Sequence, residues 1–457
     1  MTEKQEGCGP PGSPPLFKEL STIFDPSSDI VNTPLQIKDH TAFLFYVKSV
    51  VDGDKLQQTV IRPFFEMASE EDFASYIQSL PNRTDIPDKD KLLIMLSSGF
   101  VLIAIGDRTF LLDIRLVKND EVQETVMEPT IHGPQKGLSE DIETTINLIR
   151  QRYRNSSLKV EEIIKNDTSN RPIVLLYDSD RSDPCMLKKI RAELEGINNP
   201  LFESVEDLQH FLNKSKLTLF PTTMVTERPD RIVYNLVAGK VIIAIDGSPN
   251  VIVAPIVFFD FMSSMEDNYH VSVVSGFTIM LRYLGLFTCI VLPSLYIAMT
   301  SYNPEILRIE LALTVAGSRI GVPYPSFIEV IFMIFFMELL TEASMRLPKA
   351  VSGTATTVGG LILGTAATEA ALTSTIMVII ISAVAISTFV IPINEMSFAV
   401  RVVRFLLIIY TTLFGLVGLL IGFIGIIMFL ANKDSMGEPY LRIPWKGKNA
   451  ELGMDNK

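Results

Sequence analysis

Apolar residues in this chain follow two different rhythms that meet near residue 276. Upstream, short apolar runs alternate with polar stretches. Residues 40–50 (HTAFLFYVKSV) and 171–177 (RPIVLLY) have the continuous β-branched and aromatic character of buried strands. Between them, Ile142, Ile146 and Ile149 recur at helical spacing over residues 140–154. One stretch is repeated: residues 97–114 resemble residues 237–255, with Gly99 opposite Gly239 and Val101–Ile105 opposite Val241–Ile245 at a constant offset. Each copy predicts a helix ending at Gly, a strand, a tight turn and a second strand. The repeat predicts two related α/β subdomains, 31–135 and 136–276. The Gly/Pro-rich start (GCGPPGSPP) predicts a flexible tail over residues 1–30.

Downstream, the apolar runs reach membrane-crossing length. Residues 405–431 carry no charge, and a helix of that length exceeds the roughly 30 Å hydrocarbon core. Gly415, Gly418, Gly422 and Gly425 share one face of it, which permits close helix contact. Residues 283–300, with Pro293, and residues 375–393 predict two further spans. Residues 327–347 are apolar enough to insert yet contain Glu329, Glu338, Glu342 and Arg346. Residues 353–374 are small throughout, with Gly360 and Gly364 in a GxxxG pair and Glu369 as the sole charge. They read as a fifth span or as a re-entrant, tightly packed helix. Four spans plus a partly inserted segment is the favoured topology. The expected fold class is an α/β N-terminal region of two related subdomains, then an all-α polytopic membrane domain (277–431) and a polar tail (432–457).

Ionisable groups at membrane depth each cost on the order of 2.5–3.5 kcal/mol on insertion scales, so the acidic helix needs a reason. Glu338, Glu342 and Arg346 fall at i, i+4 steps and line one stripe. Two readings compete. In one, Glu342 pairs with Arg346 and the helix end reaches the headgroups. In the other, Glu338 and Glu342 face a polar cavity or ion path, with Glu369 as a further candidate. The basic residues Arg401 and Arg404 on one side, and Lys433, Arg442, Lys446 and Lys448 on the other, bracket the last helix and leave its orientation open.

Charge sharpens the division. The net charge is −12, and residues 277–431 contribute seven basic and seven acidic groups, so the negative charge rests on the N-terminal region. That argues against nucleic-acid binding. Cys8, Cys185 and Cys289 are too far apart for a metal site or disulfide framework. His40, His132, His210 and His270 show no ligand spacing, and nucleotide-loop, zincin and nucleophile-elbow motifs are absent. The expectation is a non-enzyme without metal or cofactor. The polar N-terminus has no signal-peptide pattern, so the N-terminal region is expected to be cytoplasmic.

Several long motifs then occur in register. Gly133-Pro134 with Lys136-Gly137 precedes Asn147–Tyr153 (NLIRQRY); Thr226-Glu227-Arg228-Pro229-Asp230 (TERPD) precedes GKVIIAIDGSP at residues 239–249. VPYPSFIEVIFM, ELLTEASMRLP, VGGLILGTAATEA and GEPYLRIPW follow in order. From about His40 to Trp445 the chain resembles the A subunit of the GerA family of spore germinant receptors. The resemblance implies a multi-pass subunit of the spore inner membrane that senses nutrients with a transporter-like B subunit and a lipoprotein C subunit. It also implies homo-oligomerisation into an ion-conducting channel that starts germination. A non-conducting scaffold and a secondary transporter are the alternatives. TERPD reads as structural, with Glu227 and Arg228 pairing or capping the helix after Pro229. The chain departs from the family pattern at Thr341 and Ser344 (usually Arg and Gly), at Thr365 (usually Gln), and at residues 266–269, where EDNY replaces EDYY.

Overall fold

The computed structural model of the protein describes residues 13–37, 40–116, 125, 127–128, 130, 132–163, 171–197, 202–212 and 219–442. Contacts divide the chain into two compact units, Met1–Lys216 with Thr223–Pro255, and Leu217–Thr222 with Ile256–Lys457. The division after Pro255 falls earlier than the expected change at residue 276.

The first unit contains α1 (Pro15–Phe24), β1 (Ile30–Ile37), β2 (His40–Val47), α2 (Gly53–Leu56), α3 (Arg62–Glu66), α4 (Glu70–Ser79), β3 (Arg83–Thr84), α5 (Lys89–Leu96), β4 (Phe100–Ile105) and β5 (Arg108–Asp113). It continues with α6 (Ile142–Arg152), β6 (Leu158–Ile163), β7 (Ile173–Asp178), α7 (Pro184–Glu195), α8 (Val205–Leu212), β8 (Met224–Thr226), α9 (Pro229–Val237), β9 (Val241–Ile245) and β10 (Val251–Ala254). Its strands form two antiparallel five-stranded sheets, ordered β1-β2-β4-β5-β3 and β6-β7-β9-β10-β8. Counted along the chain, these are the same order. Ile103 on β4 lies opposite Leu44 and Phe110, and Ile243 on β9 lies opposite Leu175 and Ile252, so the register repeats as well.

Both copies use a glycine where the helix gives way to the central strand. Gly99 has φ +100° and Gly239 φ +81°. A Cβ at Gly99 would meet the Val50 carbonyl oxygen, and one at Gly239 the Arg181 carbonyl oxygen. Left-handed backbone and a carbonyl against Cα leave glycine as the residue that fits.

Alternation along β4 explains the core of the first sheet. Val101, Ile103 and Ile105 pack on one face with Phe64, Phe73 and Ile77, while Leu102 and Ala104 pack on the other with Phe17, Leu20, Phe24, Leu92 and Leu96. This corrects the expected flexible tail from residue 13 to residue 30; residues 1–12 of that tail lie outside the described residues. Phe17, Leu20 and Phe24 sit three and four residues apart, so one helical face buries all three against the sheet. Fully burying side chains of this size contributes about 1.5–3 kcal/mol each, which outweighs the extended bias of the neighbouring prolines.

The two sheets are tied together by buried polar groups. Arg150 of α6 makes a bidentate pair with Asp29 (2.8 and 2.9 Å), and Ser49 donates to the same carboxylate at 2.7 Å. Asn147, one turn earlier, donates to the Ser49 carbonyl at 2.8 Å. The NLIRQRY segment therefore joins the second subdomain to the first.

The second unit contains α10 (Phe258–Phe261), α11 (Ser272–Ile297), α12 (Ile309–Ser318), α13 (Ser326–Arg346), α14 (Lys349–Glu369), α15 (Thr375–Phe389), α16 (Asn394–Ala431) and a small hairpin of β11 (Asp434–Ser435) and β12 (Glu438–Pro439). Among the described residues, two helical stretches are long and apolar enough to cross a membrane: Ser272–Tyr302 and Asn394–Ala431. The second is not one straight rod. Gly415 has φ +61° and ψ −140°, a region open essentially to glycine alone, and the chain folds back there. Gly418 packs on Tyr410 and Phe414, and Gly422 on Leu407, fifteen residues earlier. An uninterrupted helix would hold those last two residues about 22 Å apart. The single span expected over residues 405–431 is thus corrected to one turn of a helical hairpin with arms 394–414 and 416–431. The glycine stripe serves this self-packing at Gly418 and Gly422, Gly415 lies against Tyr302, and Gly425 faces open space.

The helices of this unit run back and forth between two ends. At one end Tyr302 lies on Gly415, Ser301 bonds Ser326, and Glu329 bonds Ser374. At the other, the Phe258 amide donates to the Tyr440 carbonyl (3.0 Å), and Phe220 packs on Phe429. Chain entry and exit of the bundle are therefore at the same end.

Candidate functional site

The acidic residues of α13 do not stay together. Glu338 turns inward and is held by two arginines of α16, Arg401 at 3.3 Å and Arg404, whose guanidinium donates directly to Oε1. Arg404 is wholly buried, and its second amino group lies 3.5 Å from Cys289 Sγ on α11. Cys289 Sγ is in turn 3.2 Å from the Thr388 hydroxyl on α15. One carboxylate thus joins four helices. Glu342 and Arg346, by contrast, pair with each other on the exposed face at 2.7 and 3.0 Å. The i, i+4 stripe splits: Glu338 meets the arginines of α16, whereas Glu342 and Arg346 are exposed.

The deepest acid of the unit is Glu329, one turn into α13. Its carboxylate accepts from the Ser374 amide (2.6 Å), the Ser374 hydroxyl (2.7 Å) and the Thr373 hydroxyl (3.1 Å), with Arg319 at 3.3 Å. Ser374 is the N-cap of α15, so the acid sits where that helix exposes its free amides and positive dipole end. Glu329 was visible in the sequence as a charge among apolar neighbours. Arg319 lies ten residues upstream, but Thr373 and Ser374 lie 44 and 45 residues downstream in an uncharged turn, with no signal that links them.

The small-residue segment is a helix, α14, with two unlike faces. Gly359 and Gly360 face Leu340 of α13, Gly364 faces Val378 of α15, and Ala367 is buried. On the other side Thr354, Thr357, Val358, Leu361, Thr365 and Glu369 are exposed. Thr357 and Thr365 bond the carbonyls of Gly353 (2.8 Å) and Leu361 (2.9 Å), so their hydroxyls leave no unmet donor on that face. The positions that depart from the family pattern are similarly satisfied. Thr341 bonds the Met337 carbonyl at 2.8 Å, and the Ser344 carbonyl accepts from Ser352 at 2.8 Å. In the EDNY stretch, Asp267 accepts the Ser264 amide at 2.9 Å and pairs with Arg282 at 2.9 Å.

In the first unit the TERPD residues close a polar knot. Glu227 accepts the amides of Met127 (2.5 Å) and Glu128 (3.3 Å). Arg228, wholly buried, pairs with Asp230 (2.7 and 3.0 Å) and donates to the Glu128 carbonyl (3.0 Å) and Thr130 (2.6 Å). Arg231 reaches Glu128 at 2.8 Å, and the Thr226 hydroxyl accepts the Arg228 amide at 3.2 Å. Glu227 and Arg228 neither pair with each other nor cap α9, which corrects that expectation. The motif instead fastens a distant segment near residue 128. Trp445, at the end of the last family motif, lies outside the described residues. Among the described residues no group of three or more His, Cys, Asp or Glu could hold a metal ion.

A duplicated α/β unit followed by a helical unit with apolar membrane-length segments and buried acid–arginine clusters defines a class of membrane-associated proteins. The chain belongs to the Bacillus/Clostridium GerA spore germination protein family, whose profile matches residues 18–452. It is 31% identical to spore germination protein GerLA of Bacillus cereus, covering 86% of this chain and 82% of that one. It is 30% identical to spore germination protein KA of Bacillus subtilis (strain 168), covering 94% and 81%. It is also similar to the crystal structure of the N-terminal domain of the A subunit of the Bacillus megaterium spore germinant receptor GerK3. That match has 21% identity and a TM-score of 0.41, and covers 52% of this chain and 93% of that structure.

Proposed function

We propose that this chain is the A subunit of a spore germinant receptor. In this reading it is embedded in the spore inner membrane through its helical unit, with the α/β unit on the cytoplasmic side. It assembles with copies of itself into a nutrient-gated ion channel, alongside a transporter-like B subunit and a lipoprotein C subunit. It is a non-enzyme and needs no cofactor. Family membership supports the role in germination.

The observation that carries the channel reading is α14. A helix of small residues is exposed along a face that mixes Thr354, Thr357 and Thr365 with Val358, Leu361 and Ile362 and ends in Glu369, while its glycine face is taken up by α13 and α15. Lipid gains nothing from threonine, but hydroxyls whose own donors are satisfied can line a wet path between copies. Span lengths fit a multi-pass arrangement. α11, α13, α14 and the arm 394–414 each have at least 21 residues, about 31 Å or more of helix. α15 and the arm 416–431 are shorter and would enter only part of the core.

A non-conducting scaffold is the second reading, favoured by the fact that Glu338 and Glu342 are both already paired. Purified full-length chain in a planar bilayer separates the two. The channel reading expects discrete current steps from assembled protein; a monomer that carries no current overturns it.

A further inference from the structure

We propose that Arg401 and Arg404 form a site for one small monovalent anion of the chloride class, at the seam where α13 meets α16. Elsewhere in the helical unit, ion pairs among the described residues are balanced one to one: Arg319 with Glu329, Arg282 with Asp267, and Arg346 with Glu342. At this seam a single carboxylate, Glu338, serves two guanidinium groups. The cluster therefore carries one surplus positive charge.

Among the described residues no second carboxylate pairs with either arginine. Arginine does not give up its proton in a protein, so the charge stays. An uncompensated ion taken out of water costs several kcal/mol, and more at membrane depth. The neighbours from the other packed elements are neutral, Cys289 of α11 and beyond it Thr388 of α15, and on α16 itself the rings of Phe398 and Phe405 lie under the two guanidinium groups. The Thr388 hydroxyl is spent on the Val384 carbonyl at 2.9 Å. Glu342 is engaged by Arg346, and Glu395 stands six residues before Arg401, about 9 Å along α16 and on another side of it.

Donors are also left over. The Nε–H groups of both Arg401 and Arg404 are buried without a hydrogen-bond partner, and the Arg404 side chain is 0% exposed. A side chain of another protein cannot reach a group enclosed to that degree. A small anion can, by way of Glu338 and Arg401, whose side chains are 21% and 15% exposed. The surplus of one charge sets the valence, and two unspent N–H donors set the chemistry. The site does not depend on whether the protein conducts.

Equilibrium dialysis of the purified full chain against radiolabelled chloride, with gluconate holding ionic strength constant, tests the proposal. The expected result is saturable binding of about one chloride per chain, which stabilises the folded state by mass action. Arg401→Gln leaves the neutral Glu338–Arg404 pair and is expected to weaken chloride binding at least about tenfold. Glu338→Gln raises the surplus to two charges and is expected to tighten it, which keeps the test informative if the first variant does not fold. Absence of saturable chloride in the wild type, unchanged binding in Arg401→Gln, or weaker binding in folded Glu338→Gln each overturns the site.

Discussion

Both units bury arginine completely, yet they supply it with acid in different proportions. In the α/β unit Arg150 meets Asp29 through two parallel hydrogen bonds, and Arg228 meets Asp230 in the same way. In the helical unit Arg401 and Arg404 share Glu338. The Arg150–Asp29 pair fastens segments 121 residues apart, and Arg228, held locally by Asp230, reaches the Glu128 carbonyl 100 residues upstream. The mismatched cluster sits where α13, the helix before α14, leans on the hairpin. The first region is built to hold its shape; the second keeps a charge that something else must answer.

Removing one arginine from each region sets the contrast at its widest. Arg150→Met strands Asp29 as a buried unpaired carboxylate and is expected to lower unfolding stability by about 3–5 kcal/mol. Arg404→Met leaves Glu338 with Arg401, and is expected to cost about 1 kcal/mol or less, because a balanced pair survives. Urea denaturation of the full chain, followed by a probe in each unit, compares them. Equal losses would mean that charge balance is not what separates the two regions.

The next effect concerns the hairpin. Gly415→Ala places a side chain in a backbone region that excludes it and 2.8 Å from the Tyr302 ring. A loss of about 1–3 kcal/mol is expected, along with loss of a disulfide engineered between positions 407 and 422. A fully formed disulfide in the variant would show that the reversal does not need glycine. Within the duplicated unit, Gly99→Ala and Gly239→Ala should each cost about 1–2 kcal/mol and resemble one another, since both place a Cβ against a carbonyl at positive φ. Thermal melts that differ grossly between them would break the equivalence of the two copies.

The smallest effect is a pH dependence within the α/β unit. Burial, the hydrogen bond to Asp178 and its charge push the Tyr153 hydroxyl above its ordinary value of 10.0. The folded state then holds the proton more tightly than the unfolded chain. Its stabilising contribution is complete below pH 10 and declines as pH rises above it. Burial raises Tyr177 and Tyr46 in the same direction. Tyr153→Phe should flatten the alkaline loss of stability, measured by denaturant midpoints between pH 9 and 11. An unchanged slope would place the alkaline sensitivity elsewhere.

Much of the α/β unit was legible before its structure. The Gly99 and Gly239 hairpins share sequence because they share register, and the repeat implies that the two sheets are built alike, though not the strand order itself. The helix at Phe17, Leu20 and Phe24 was hidden by the prolines around it; its apolar spacing was the available signal. In the helical unit, hydropathy located apolar segments but said nothing of their direction. An uncharged run around Gly415 reads alike whether it crosses or turns back, and only the backbone angles decide. The partners of Glu338 lay out of reach for a similar reason. Arg401 and Arg404 stood in the sequence as a basic flank of the last helix, and packing of α13 on α16 turned that flank into the acid's binding partner.

The central claim is that α14 forms the wet face of the assembled bundle. The most direct measurement is current through bilayer-reconstituted protein carrying Thr365→Cys, with Cys8 and Cys185 replaced by serine, before and after a charged methanethiosulfonate reagent. The expected result is that the reagent blocks or reshapes the current at Thr365→Cys and leaves it unchanged at Leu363→Cys, which shares the packed side of the same helix with Gly359 and Gly360. Current that persists unaltered at Thr365→Cys, or equal sensitivity at both positions, would contradict it.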